Sequence, residues 1–299
     1  MTELLAHGTV VLDGGLSNAL EDRGHDLSSD LWTARLLRDD PDEIVAVHRA
    51  YFAAGARVAT TASYQASVPG LVAAGLSRSE AEGLIAASVR LAREARDEVA
   101  AHTEAPLFVV ASVGPYGAAR ADGSEYTGRY GRTAAQLRDF HAPRLELLAA
   151  AGPDLLAVET IPDVDEAEVL VPLLDEIGVP AWFSYSVADG ATRAGQSLTS
   201  AYDVLRGSTT IRAAGVNCSA PADVPAAVGT AVTVTGLPGV AYPNRGEAWD
   251  NASHTWAGSG AFNPLEVRGW IDSGAQLVGG CCRVGADDIA AIADAVAAS

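Results

Sequence analysis

The chain has 299 residues, 48% of them hydrophobic, with 20 basic against 38 acidic side chains and a net charge of −18. That is apolar material for a large core, and so acidic a balance disfavours nucleic acid and anionic membrane surfaces, which a basic patch would announce. Three cysteines do not make a disulfide framework, no apolar run approaches a membrane span, and residues 1–12 lack the features of a secretory signal. A cytoplasmic protein with free or metal-bound thiols is therefore expected.

Short β-branched or apolar runs recur along the chain. They predict strands at Thr9–Gly15, Ala56–Ser63, Pro106–Gly114, Asp154–Thr160, Pro180–Val187, Ile211–Ser219, Pro238–Asn244 and Ala275–Cys282. Runs apolar on both faces suit a parallel sheet covered on both sides. Helical segments follow the strands. "PDEIVAVHRAYFAAG" opens on Pro41 with acids in its first turn and stops at Gly55. "SRSEAEGLIAASVRLAREARDEVAA" is long and amphipathic, with Ser77 or Ser79 as cap and Glu80 in the first turn. The segment after the fifth strand is less regular, its helix expected from about Ser200.

Eight strand-plus-helix units predict one α/β domain over residues 1–299, a (β/α)8 barrel. A doubly wound open sheet is the alternative, because periodicity does not reveal closure. Two insertions, "GAARADGSEYTGRYGRT" and "RGEAWDNASHTWAGSGAFN", follow the third and seventh strands and belong on the functional face at the strands' carboxyl ends.

Polar residues gather at those ends: Asp13, Thr61, Glu159, Cys218, Tyr242, Asn244 and the adjacent pair Cys281 and Cys282. The sixth and eighth strands are not barrel neighbours, yet at ~4.8 Å between strands their ends lie on the order of 10 Å apart. Three thiolates meeting there suit zinc, with a fourth position left for water or substrate. Gly279 and Gly280 are expected to twist the backbone so that both cysteines face one way, against strand alternation. Other readings stand beside these. Cysteines are often small buried hydrophobes, Asp13 and Glu159 are also possible helix caps, Thr61 is a structural residue on its own, and "YPN" is an ordinary turn. No G-x-S-x-G, G-x-x-x-x-G-K-[ST], H-E-x-x-H or post-strand G-x-G-x-x-G motif is found, and the six histidines form no ligand pair.

Taken together, "VLDGGLSNALEDRG", "HRAYFAAGARVATTASYQAS", "ASVGPYGAARADGSEYTGRY", "AVETIPDVDEAEVL", "GVNCSAP", "YPNRGEAWD" and "GGCCRVGADDIAAI" resemble the zinc-dependent homocysteine S-methyltransferases, over nearly the whole chain. "GVNC" with a distal "GGCC" is the specific combination. The resemblance implies one zinc ion on Cys218, Cys281 and Cys282. It implies that Asp13 and Glu159 face the amino group of homocysteine and that the amides of Gly14 and Gly15, with Thr61, face its carboxylate. Asn217 would support the site from behind. Tyr64, Tyr116, Tyr126, Trp249 and Glu247 are candidates to hold a sulfonium donor, S-methylmethionine or S-adenosylmethionine, in methionine biosynthesis. Ser17-Asn18 and Arg245 depart from the family pattern. Small molecules are the expected partners of a monomer or small homo-oligomer. Alternatives are a methyltransferase acting on another thiol or selenol, such as selenohomocysteine, and a zinc barrel without catalysis.

Overall fold

A computed structural model of the protein describes residues 2–5, 8–25, 27, 32–120, 122–250, 255–257, 260 and 262–298. Eight strands, β1 (Val10–Val11), β2 (Val58–Thr60), β3 (Phe108–Val113), β4 (Leu155–Ile161), β5 (Ala181–Tyr185), β6 (Ile211–Asn217), β7 (Gly239–Tyr242) and β8 (Ala275–Val278), form one parallel sheet. Its order is β1-β8-β7-β6-β5-β4-β3-β2, which brings the first strand round to the second. Among the described residues no regular ladder joins β1 to β2. The seam is bridged instead by the Arg57 amide donating to the Val11 carbonyl at 2.8 Å, and by Thr60, whose amide donates to Asp13 Oδ2 at 2.6 Å. The sheet is a barrel, and the open doubly wound alternative is excluded.

The strands are apolar on both faces because they separate two cores. Val10, Leu12, Val58, Val110, Leu155, Ala157, Trp182, Ala213, Val240 and Leu277 fill the inside. Their neighbours in sequence, such as Val11, Ala59, Leu156, Val158, Phe183 and Val278, face the surrounding helices. This is strand alternation with an apolar layer on either side. Inside the barrel Trp182 Nε1 donates to Tyr242 Oη at 3.0 Å, which satisfies the one polar atom of a fully buried indole.

The helices start where local chemistry expects them. Pro41–Ala53 has its proline in the first turn, and Arg78–Ala100 begins at a reciprocal capping box between Ser77 and Glu80. Ala134–Ala150 repeats that device with Thr133 and Gln136. The helix after β5 spans Leu198–Asp203 with Ser197 as cap. Among the described residues no helix is long and apolar enough to cross a membrane.

Strands β1, β2, β7 and β8 stop short of the ranges read from sequence, at Val11, Thr60, Tyr242 and Val278. The extra residues are apolar or small enough to read as strand, but they leave the ladder to build the mouth of the barrel. The insertion after β7 carries a short antiparallel pair, Ala248–Asp250 with Thr255–Ala257, which periodicity did not reveal.

Candidate active site

A cavity of about 230 Å³ opens at the carboxyl ends of the strands. Asp13, Thr61, Ser112, Glu159, Cys218, Tyr242, Cys281 and Cys282 all line it, so the barrel brings together residues spread over the full chain.

Cys218 follows β6 in the left-handed region, φ +49°, a costly conformation for a residue with a Cβ. Neighbouring bonds hold it there. Its amide donates to the Tyr242 carbonyl at 3.2 Å, and the Cys218 carbonyl accepts from Ser186 Oγ at 3.3 Å. Cys281 and Cys282 lie beyond the end of β8, in a turn, so strand alternation does not govern where they point. The loop after β7 fixes them: the Cys281 amide donates to the Pro243 carbonyl at 2.8 Å and the Cys282 amide to Asn244 Oδ1 at 3.3 Å. Asn18 and Arg245 brace the same turn, since Asn18 Oδ1 accepts from the Arg283 amide at 2.5 Å and the Arg245 amide donates to the Cys282 carbonyl at 3.0 Å.

The role expected of Gly279 and Gly280 is corrected here. Neither has a positive φ. They are small because other atoms come close: a Cβ on Gly280 would lie 2.1 Å from Val284 Cγ1, and one on Gly279 2.7 Å from Leu12 Cβ.

The three sulfurs lie within 4.8 Å of one another, with Cys218 Sγ and Cys282 Sγ 3.7 Å apart. Tetrahedral zinc with bonds of about 2.3 Å to sulfur requires an edge of about 3.8 Å. The donor set and its spacing therefore fit a tetrahedral, thiophilic ion. As free thiols they share protons: hydrogen bonds from Cys281 and Cys282 push Cys218 well below the ordinary thiol range, while Cys281 and Cys282 rise well above it. Tyr126 Oη is 3.7 Å from Cys218 Sγ and adds a donor.

Two buried carboxylates face the cavity. Asp13 accepts from the amide and hydroxyl of Thr60, at 2.6 and 2.7 Å, yet burial outweighs both bonds and raises its pKa to about 6. Glu159 accepts a short bond from Ser112 Oγ and is raised by burial to about 7. Both acids are thus poised to gain from a cation brought in by a ligand.

Several expected contacts are redistributed. The Gly15 amide donates to the Val284 carbonyl at 3.0 Å, which removes it as a donor to a substrate carboxylate. Thr61 Oγ1 accepts from the Ser112 amide at 3.1 Å and lies 2.7 Å from Ser63 Oγ. Because Ser63 gives its own proton to the Ser112 carbonyl, the Thr61 proton goes to Ser63, and the hydroxyl keeps only acceptor capacity toward the cavity. Asn217 is fully buried and does not line the cavity. It clasps Thr160, accepting from its amide at 2.6 Å and donating to Oγ1 at 2.8 Å, and so holds a left-handed residue (φ +60°) directly after Glu159. Of the aromatic candidates, Tyr64 and Tyr126 line the cavity, whereas Tyr116 packs on Tyr130 and Phe140. Glu247 is engaged by Arg283 at 3.2 Å, and the side chain of Trp249 lies outside the described residues.

Arg144 and Glu125 are among the contributors that escaped the sequence reading. Arg144 is 1% exposed and donates to the carbonyls of Gly114, Ser63 and Tyr64, tying together the loops after β2 and β3. Its signal was available, since it shares the apolar face of its helix with Leu137, His141 and Leu148. Glu125 enters the cavity from the irregular insertion after β3, where no periodicity marks it.

The model of the homocysteine S-methyltransferase family matches residues 10–296. The chain belongs to the homocysteine S-methyltransferase family. Homocysteine S-methyltransferase 1 of Zea mays is 41% identical, covering 96% of this chain and 94% of its own, and homocysteine S-methyltransferase YbgG of Bacillus subtilis is 41% identical over 95% and 93%. Among solved structures, the metallated form of the homocysteine methyltransferase MmuM from Escherichia coli superposes with a TM-score of 0.87 at 40% identity, covering 98% of this chain and 96% of that one. As a member of this family the protein is a methyltransferase, and its cysteine cluster lies at the barrel mouth with Asp13 and Glu159.

Proposed function

We propose that this enzyme transfers a methyl group from a sulfonium donor, S-methylmethionine or S-adenosylmethionine, to L-homocysteine, giving methionine, with a zinc ion held by Cys218, Cys281 and Cys282. The observation that carries this reading is the clustering of three sulfurs within 4.8 Å in a cavity that also presents two proton-hungry carboxylates. Cys218, Cys281 and Cys282 would hold the zinc ion, whose Lewis acidity would favour the deprotonated form of an incoming thiol, ordinarily about 8.5, at neutral pH.

The chain's own residues do the rest. Asp13 and Glu159 receive the homocysteine ammonium, whose charge offsets the cost of ionising them in a buried place. The Gly14 amide is the remaining backbone donor for the carboxylate, Gly15 being engaged elsewhere. Asn217, through Thr160, fixes the end of β4 that carries Glu159. In the transfer a sulfur–carbon bond forms to the methyl as the carbon–sulfonium bond breaks, and the donor leaves as a neutral thioether. No proton has to be delivered to it, and among the described residues no histidine lines the cavity. Attack on a methyl carbon demands alignment of both sulfurs, so positioning governs the rate. The reaction uses small molecules alone and suits the cytoplasm.

The test is a donor panel of S-methylmethionine, S-adenosylmethionine and betaine with homocysteine as acceptor, alongside metal content by elemental analysis. Methionine formation from a sulfonium by zinc-loaded protein is expected. No product from either sulfonium, or full turnover after the metal is stripped, would overturn the assignment.

A further inference from the structure

We propose that Glu125, with Gln65 and Tyr64, forms the recognition site for the α-ammonium group of the methyl donor, so that the enzyme selects sulfonium donors that carry an amino-acid head group. The inference rests on the methyl-transfer reading above and specifies its second substrate.

Among the described residues, three polar atoms of the cavity lining are buried without a hydrogen-bond partner: Glu125 Oε2, Gln65 Oε1 and Tyr64 Oη. Each can accept a hydrogen bond. An ammonium group brings three N–H donors, whereas a sulfonium has none. A set of unpartnered acceptors therefore matches the head group of the donor and not its reacting centre. Leaving such atoms empty is costly in a buried setting, and a ligand that fills them recovers that cost.

The other carboxylates in or beside the cavity have other roles: Asp13, bonded by Thr60, and Glu159, bonded by Ser112, are assigned above to the homocysteine ammonium, and Glu247, on the neighbouring insertion, pairs through Oε1 with Arg283. Glu125 has no ion-pair partner among the described residues, and burial raises its carboxyl to about 7, as expected of an acid lacking a cation. Its place in the fold is also suited to the donor. The short 3-10 turn Ser124–Tyr126 sends Tyr126 to Cys218 Sγ at 3.7 Å and Glu125 into the cavity, so one turn spans the reacting end and the head-group end. That turn sits tightly on Gly117, where a Cβ would come within 2.4 Å of the Glu125 amide nitrogen.

The experiment compares S-methylmethionine with dimethylsulfoniopropionate, a sulfonium carrying a carboxylate but no amino group, on zinc-loaded wild-type and Glu125→Gln enzymes. The first is read as donor KM at saturating homocysteine, the second as its inhibition constant against S-methylmethionine. A charge-assisted hydrogen bond corresponds to about tenfold to a hundredfold in affinity. The wild type should prefer S-methylmethionine by at least that factor. In Glu125→Gln the KM for S-methylmethionine should rise by about the same factor while the constant for the amine-free sulfonium stays, so that discrimination collapses. Melting temperature and metal content report folding, and Gln65→Leu, which deletes a second acceptor, should lower the same discrimination if Glu125→Gln does not fold. Equal weakening of both sulfoniums would mean that Glu125 serves the sulfonium itself, and unchanged discrimination would mean that it serves neither; both results overturn the inference alone. Absence of turnover by the wild type overturns the methyl-transfer reading with it.

Discussion

Glu159→Gln removes a titration while keeping the shape of the side chain, and it tests the electrostatic state of the site directly. Burial raises this carboxyl from an ordinary 4.5 to about 7, against the opposing bond from Ser112. The folded enzyme therefore binds that proton more tightly than the unfolded chain does. The resulting stabilisation is whole below about pH 4.5 and is lost as the pH rises through about 7. At about 1.4 kcal/mol for each tenfold change in proton affinity, the loss is on the order of 3 kcal/mol. Glutamine has no proton to lose, so the variant escapes this fall. Urea unfolding of substrate-free wild type and variant, at matched ionic strength from pH 4.5 to 8, should show wild type losing about 3 kcal/mol relative to Glu159→Gln, or about 5 °C in Tm. Asp13, raised to about 6, and Glu125 titrate in both proteins and largely cancel in the difference. Saturating L-homocysteine at pH 8 should return most of the deficit to wild type, since its ammonium pairs with the ionised acid. Parallel stability profiles for the two proteins would refute the reasoning.

Asn217→Ala leaves the buried Thr160 amide without its acceptor and should cost about 1–3 kcal/mol in urea unfolding, together with a higher KM for homocysteine; a loss within error would show that the left-handed residue needs no clasp. Gly280→Ala forces Val284 away from a contact at 2.1 Å, and because the Val284 carbonyl holds the Gly15 amide, the expected cost is about 1–3 kcal/mol with faster metal loss to a chelator. Wild-type metal retention in that variant would separate the glycine from the cysteine turn. Cys281→Ser should lower metal content after dialysis against a chelator, measured by elemental analysis, and full retention would remove Cys281 from the ligand set.

Much of the architecture could be read from the chain. Strands covered on both faces are apolar over most of their length, so the runs at residues 155–158 and 213–216 announced a covered parallel sheet without any tertiary information. Cys218, Cys281 and Cys282 were conspicuous because polarizable side chains ending apolar strands have a common destination once a barrel is assumed. What sequence could not decide was how the polar groups at the mouth share their hydrogen bonds. Thr61 gives its proton to Ser63, the Gly15 amide goes to Val284, Asn217 turns away to Thr160, and the closure of the barrel itself passes through Asp13. Each of these bonds joins residues whose meeting depends on the finished fold, and a hydroxyl or amide has only one proton to spend. Periodicity reports which side of an element is buried; it carries no record of which neighbour takes that proton. For the same reason Glu125, on an aperiodic insertion, acquires its meaning only when the folded barrel leaves it facing the cavity without a cation.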